Sequence, residues 1–174
     1  MRRIIAVCFA GVVLLPLAVA QQTKPAVDWK PLTWLIGDWT GSGGSGPGRG
    51  SGNFSFETDV QGKVLVRKSF AEYPATADQP AYRHDDLMVV YREGRSLKAI
   101  YFDNEEHVIR YAVNVSADGS IVEFVSEVAG GAPRFRMTYR KTADTALAGQ
   151  LETAQPGKPF ETYLEWTAQK KAAK

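Results

Sequence analysis

Trp34-Leu35-Ile36-Gly37-Asp38-Trp39-Thr40-Gly41 joins one short helical turn to the first of about ten regularly spaced strands. A glycine two residues before a tryptophan, where a chain enters its first strand, suits a closed barrel. Gly37 lets the backbone turn sharply, and Trp39 is placed to plug the bottom end.

Upstream, Trp29 to Ile36 is expected to make about two helical turns, with Asp28 as N-cap and Pro31 in the first turn. Downstream, seven of the twelve residues from Gly41 to Gly52 are glycine, which reads as a flexible connection. Strands are then expected near Asn53 to Thr58, Lys63 to Tyr73, Arg83 to Arg92, Ser96 to Asp103 and Glu106 to Ser116. Others follow near Ser120 to Val128, Pro133 to Lys141, Thr145 to Glu152 and Phe160 to Ala168. Gln61-Gly62, Glu93-Gly94, Asp118-Gly119, Gly130-Gly131 and Pro156-Gly157 supply the turns. The pattern predicts an all-β, antiparallel up-and-down barrel with one short N-terminal helix.

Met1 to Ala20 has two arginines, an apolar run and the small-residue end Ala18-Val19-Ala20, the order of a cleaved secretory signal peptide. The run is short for a membrane span, and Cys8 inside it lacks a lipidation context. The expected organisation is therefore signal peptide 1–20, flexible leader 21–28, one barrel domain 29–170 and a tail 171–174. Export places the protein in the periplasm or outside the cell. Cleavage would remove Cys8, Arg2 and Arg3, leaving 19 basic and 19 acidic residues, since 21 minus 2 is 19. Zero formal charge argues against nucleic acid as a partner, and no integral membrane span is expected after cleavage. A monomer or weak dimer is expected.

Alternation assigns faces. Pairing Phe102 with His107 across Asn104-Glu105 puts Ile100, Phe102, His107, Ile109, Tyr111 and Val113 inside, with Tyr101, Asp103 and Arg110 outside. Phe135, Met137 and Tyr139 alternate with Arg134, Arg136 and Arg140; Phe160, Thr162, Leu164 and Trp166 alternate with Glu161, Tyr163 and Glu165. A barrel of about ten strands is wider than one that side chains fill, so it can hold a small molecule. The expected ligand-binding wall is Phe102, His107, Ile109, Tyr111, Phe135, Met137, Tyr139, Leu164 and Trp166. Such a wall suits a small apolar or amphipathic ligand.

Catalytic motifs are few. His84 and His107 are the only histidines, which excludes a three-histidine site. Asp85 and Asp86 point to opposite strand faces and cannot form a carboxylate pair. The candidates for acid or base chemistry are His107, or His84 with Asp86, because a group titrating near neutrality is needed. Gly41-Ser42-Gly43-Gly44-Ser45-Gly46 has dinucleotide-motif spacing but no βαβ unit around it. Asn53 and Asn114 begin glycosylation sequons that lie within expected strands.

The Gly37-x-Trp39 element, followed by Gly41 and Gly43 and a run of antiparallel strands, resembles the calycin superfamily, and within it the nitrobindin-like, lipocalin-type barrels. The resemblance implies a small-molecule cavity and, in nitrobindins, a b-type haem held by a histidine near the last strands. No histidine follows His107 here, so no haem ligand is carried over and no cofactor or metal is expected. Three alternatives stand beside the ligand-binding cup: a cavity enzyme, a haem-carrying barrel, and a filled barrel that works as a structural or interaction module.

Overall fold

The computed structural model describes residues 28–43, 49–128 and 130–172. The expected signal peptide and all but Asp28 of the leader lie outside the described residues, as do the last two residues of the tail.

A 3₁₀ turn, Lys30–Leu35, leads into ten strands. These are β1 (Gly37–Gly43), β2 (Gly50–Asp59), β3 (Val64–Tyr73), β4 (Tyr82–Glu93) and β5 (Ser96–Asp103). They continue with β6 (Val108–Val115), β7 (Ile121–Ser126), β8 (Arg134–Ala143), β9 (Ala146–Ala154) and β10 (Glu161–Lys170). Every strand pairs antiparallel with its sequence neighbours, and β10 closes on β1. The fold is thus the all-β closed barrel that the spacing predicts. The helix is tighter and shorter than expected, six residues of 3₁₀. The N-cap position falls to Trp29 rather than the expected Asp28, whose Oδ1 nonetheless accepts the Lys30 N–H at 2.9 Å.

Apolar side chains and indole N–H groups together shut the lower end. Leu32, Leu35 and Trp39 are fully buried, and the Trp39 ring lies stacked on Phe54 at 5.9 Å. Three indoles are each anchored to a carbonyl: Trp29 Nε1 to Gly62 at 2.9 Å, Trp34 Nε1 to Gly119 at 2.9 Å, and Trp39 Nε1 to Leu35 at 2.8 Å. Gly62 and Gly119 belong to turns at the same end, so the 3₁₀ turn is tied across the barrel floor. Gly37 has φ of 123°, where an L side chain is strained, and a Cβ there would sit 2.9 Å from Lys170 Cε. Above this floor, Phe54, Phe56, Leu65, Met88, Val90, Val122, Phe124 and Tyr139 fill the lower half of the interior. Fully burying such a side chain is worth roughly 1.5–3 kcal/mol.

Two features of the glycine-rich stretch differ from a free connection. Gly41 pairs with Gly52, and Gly43 with Gly50, so its flanks belong to β1 and β2. A Cβ on Gly52 would lie 2.1 Å from the Phe70 carbonyl oxygen, and one on Gly43 would lie 2.6 Å from that of Glu165. These glycines let neighbouring backbone approach, and they leave that wall without bulky side chains. Among the described residues no helix follows the stretch, which disposes of the dinucleotide motif.

The register corrects two assigned faces. Phe102 pairs with Val108 rather than His107, because the β5–β6 loop has four residues and Glu106 sits at φ of 68°. A one-residue slip inverts a strand. Tyr101 and Asp103 therefore face inwards, while Ile100 and Phe102 face out, with Phe102 opposite Leu87 on the surface. A second slip lies between Thr162 and Leu164 on β10. Leu164 and Trp166 point inwards as expected, but Thr162 lies outside, where it accepts a hydrogen bond from Gln150 at 2.8 Å. Phe160 is outside too, under the guanidinium of Arg136 at 4.5 Å.

Candidate functional site

The upper half of the barrel is open, with a cavity of about 830 Å³ whose mouth lies among the loops after β3, β5, β7 and β9. Its two sides differ in chemistry. Ile109, Phe135, Met137, Leu151, Leu164 and Trp166 form an apolar wall. Gly149 makes room for it, since a Cβ there would meet the Trp166 indole at 2.0 Å. Across the cavity, Arg67, His84, Asp86, Tyr101 and Asp103 form a polar wall.

Of the nine residues expected to bind ligand, six line this cavity within its walls: Ile109, Tyr111, Phe135, Met137, Leu164 and Trp166. His107 sits at the mouth with its side chain 54% exposed. Tyr139 belongs to the packed layer beneath, its ring edge-on to Phe56, Phe124 and Trp166. Phe102 is on the outer surface and cannot reach the interior.

Arg67 escaped the sequence reading. It alternates with Leu65 and Ser69 on the inner face of β3, and it is buried against the carboxylate of Asp86. Its Nη2 also donates to Ser69 Oγ at 3.0 Å. Burial, the largest single influence, would pull the guanidinium down; the Asp86 carboxylate together with the Tyr139 and Tyr101 phenols outweighs it and holds the group above its ordinary value. Burial pushes the Tyr139 phenol up to about 12, against the pull of Arg67. The same desolvation raises Tyr101 and Tyr111, so all three phenols remain neutral donors. Arg67 Nε and Tyr139 Oη are buried without a hydrogen-bond partner. Buried polar atoms normally find one, so these two leave the floor of the polar wall undersatisfied.

The histidines have different partners from those expected. His84 Nε2 lies 4.0 Å from Asp86, outside hydrogen-bond reach, because Asp86 is committed to Arg67. Instead Nε2 meets the Tyr101 hydroxyl at 2.8 Å, while Nδ1 meets Glu105 at 3.2 Å and Tyr82 at 3.0 Å. The proposed His84 and Asp86 dyad is therefore not formed. His107 Nδ1 lies 2.9 Å from Asp103 Oδ2, and Asp103 Oδ1 accepts the backbone N–H groups of Glu105 and His107.

Asp103 thereby holds the β5–β6 loop. Burial would raise its carboxyl, but the hydrogen bonds from His107 and Glu105 prevail and hold it below the ordinary range. A depressed carboxyl stabilises the fold fully above about pH 4, and that contribution is lost as the pH falls through its folded value. Urea unfolding at about pH 6 and about pH 3 should show a larger acid loss for the wild type than for Asp103→Asn. Equal losses would mean the loop bonds are absent in solution.

Among the described residues β10 brings Tyr163, Leu164 and Trp166 to the cavity and buries Ala168, with no histidine, so the residues present do not fit a haem held in the nitrobindin manner. No protein-family model matches the chain, and neither does any curated protein. Among solved structures it is similar to Rv2717c from M. tuberculosis, with a TM-score of 0.63 and 16% identity. That match covers 85% of this chain and 100% of the other. At that identity the likeness speaks for the barrel fold alone.

Proposed function

We propose that this protein is an exported, calycin-like cup that binds one small amphipathic molecule in the upper half of its barrel, without covalent chemistry. The observation that carries the reading is the two-sided cavity. About 830 Å³ lies within the range of small-molecule sites, and an apolar wall facing Arg67 and the Tyr101 and Tyr111 hydroxyls fits a ligand with one polar end. A purely apolar ligand is less suited, because it would bury the polar wall without giving it hydrogen bonds. Export rests on the charge, apolar run and small-residue end of Met1 to Ala20. The calycin and nitrobindin affinity rests on the Gly37-x-Trp39 element together with the barrel topology.

The neutral fluorescent diarylamine N-phenyl-1-naphthylamine, apolar apart from one N–H, provides the test. Saturable binding is expected, and Ile109→Trp, which fills the mouth of the apolar wall, should weaken it at least tenfold, about 1.4 kcal/mol. Native mass spectrometry of envelope material should show a bound small molecule. A protein that takes up neither probe nor natural ligand removes the proposal.

One arrangement supports a second reading, a cavity enzyme. Asp103 meets His107 at Nδ1, and the half-exposed imidazole stands at the mouth, a carboxylate-oriented histidine of the kind a general base requires. In that case His107→Ala changes the mass of the co-purified molecule; an unchanged mass dismisses it.

A further inference from the structure

The geometry points to a site for one divalent first-row transition ion at the barrel mouth, held by His84, Asp103 and Glu105. Each offers one ligand atom, and these atoms lie within 4.8 Å of one another. Metal bonds of about 2.1 Å would set tetrahedral ligand atoms roughly 3.4 Å apart, so the widest separation has to close by up to about 1.4 Å. His84 Nδ1 and a Glu105 oxygen already stand 3.2 Å apart, so what remains to close is the gap between that pair and Asp103.

Three observations beyond proximity favour a cation there. Asp86 and Asp103 stand directly opposite each other on β4 and β5, both facing inwards, with side chains only 6% and 3% exposed. Like charges so placed repel. Arg67 neutralises Asp86, but among the described residues Asp103 and Glu105 form ion pairs only with the two histidines. Next, the lone pairs of His84 Nδ1 and the Glu105 carboxylate converge at 3.2 Å, a contact that requires a proton or a metal ion between them. Finally, the Tyr101 hydroxyl meets His84 Nε2 at 2.8 Å, an outer partner on one ring nitrogen while the other, Nδ1, faces Glu105 and the Tyr82 hydroxyl. Metal-bound imidazoles are held by such an outer partner. One nitrogen and two carboxylate oxygens suit zinc, manganese or cobalt, with the remaining positions open to water or to a donor atom in the cavity. Tyr101 acts as a positioning residue, and the site does not depend on whether the cavity below takes an amphipathic ligand.

Cobalt(II) titration of the tag-free protein, read by visible absorption and by calorimetry, tests the assignment. One equivalent should bind, giving ligand-field bands that His84→Ala and Glu105→Gln abolish. Tyr101→Phe should keep the bands but weaken affinity by about 10–100-fold. Should His84→Ala fail to fold, Glu105→Gln at the exposed position still decides. Absence of saturable uptake overturns the site, as does uptake unaffected by Glu105→Gln.

Discussion

Asp86→Ala is expected to destabilise the barrel by about 3–5 kcal/mol, because it leaves the Arg67 guanidinium buried without its counter-charge. Neither Ser69 Oγ nor any neutral phenol nearby can replace a carboxylate. The loss should appear as a lower urea midpoint with an unchanged slope. The double replacement Arg67→Met with Asp86→Leu should restore most of it, since apolar residues of similar volume often serve as well as a buried ion pair. That contrast separates the cost of an orphaned charge from the value of the pair. The double variant should also lose affinity for a ligand with a polar end, while the apolar wall opposite stays intact. A loss below about 1 kcal/mol for Asp86→Ala would show that water reaches Arg67, since a solvated pair is worth no more than that.

Trp39→Ala should have a comparable effect from the other end of the barrel, about 3–5 kcal/mol. The indole is fully buried, stacks on Phe54, and donates to the Leu35 carbonyl that ends the 3₁₀ turn. Removing it opens a void between the floor and the Phe54, Phe56 and Tyr139 ring cluster. For a domain of this size the melting temperature should fall by about 10 °C. Trp34→Phe, which gives up the hydrogen bond to Gly119 but keeps an aromatic ring, should cost only about 1 kcal/mol. Similar melting temperatures for the two variants would mean that Trp39 does not carry the floor.

Strand positions were legible because alternation and turn residues are local. Of the six turn glycines named from the sequence, five, Gly62, Gly94, Gly119, Gly131 and Gly157, adopt positive φ between 59° and 77°, and Gly130 does not. Faces were legible wherever no irregularity intervened, as on β8, where Phe135, Met137 and Tyr139 all point inwards. On β5 a single residue of loop length reversed the outcome, exchanging Phe102 for Tyr101 and Asp103. Arg67 was hidden for a related reason. It stands beside Lys68, and two adjacent cations read alike until pairing with β4 sends one inwards opposite Met88 and leaves the other on the surface.

By itself, then, the sequence determined an all-β chain of ten strands with a tryptophan-plugged floor and an upper wall of aromatic and aliphatic residues. Periodicity and turn chemistry act over a few residues, and these are enough to specify them. Only the closed barrel decided that Arg67 meets Asp86, that Asp103 faces the interior, and that His84 joins Tyr101 and Glu105. Those contacts depend on register between strands, and register is set by side-chain packing and loop geometry around the whole barrel.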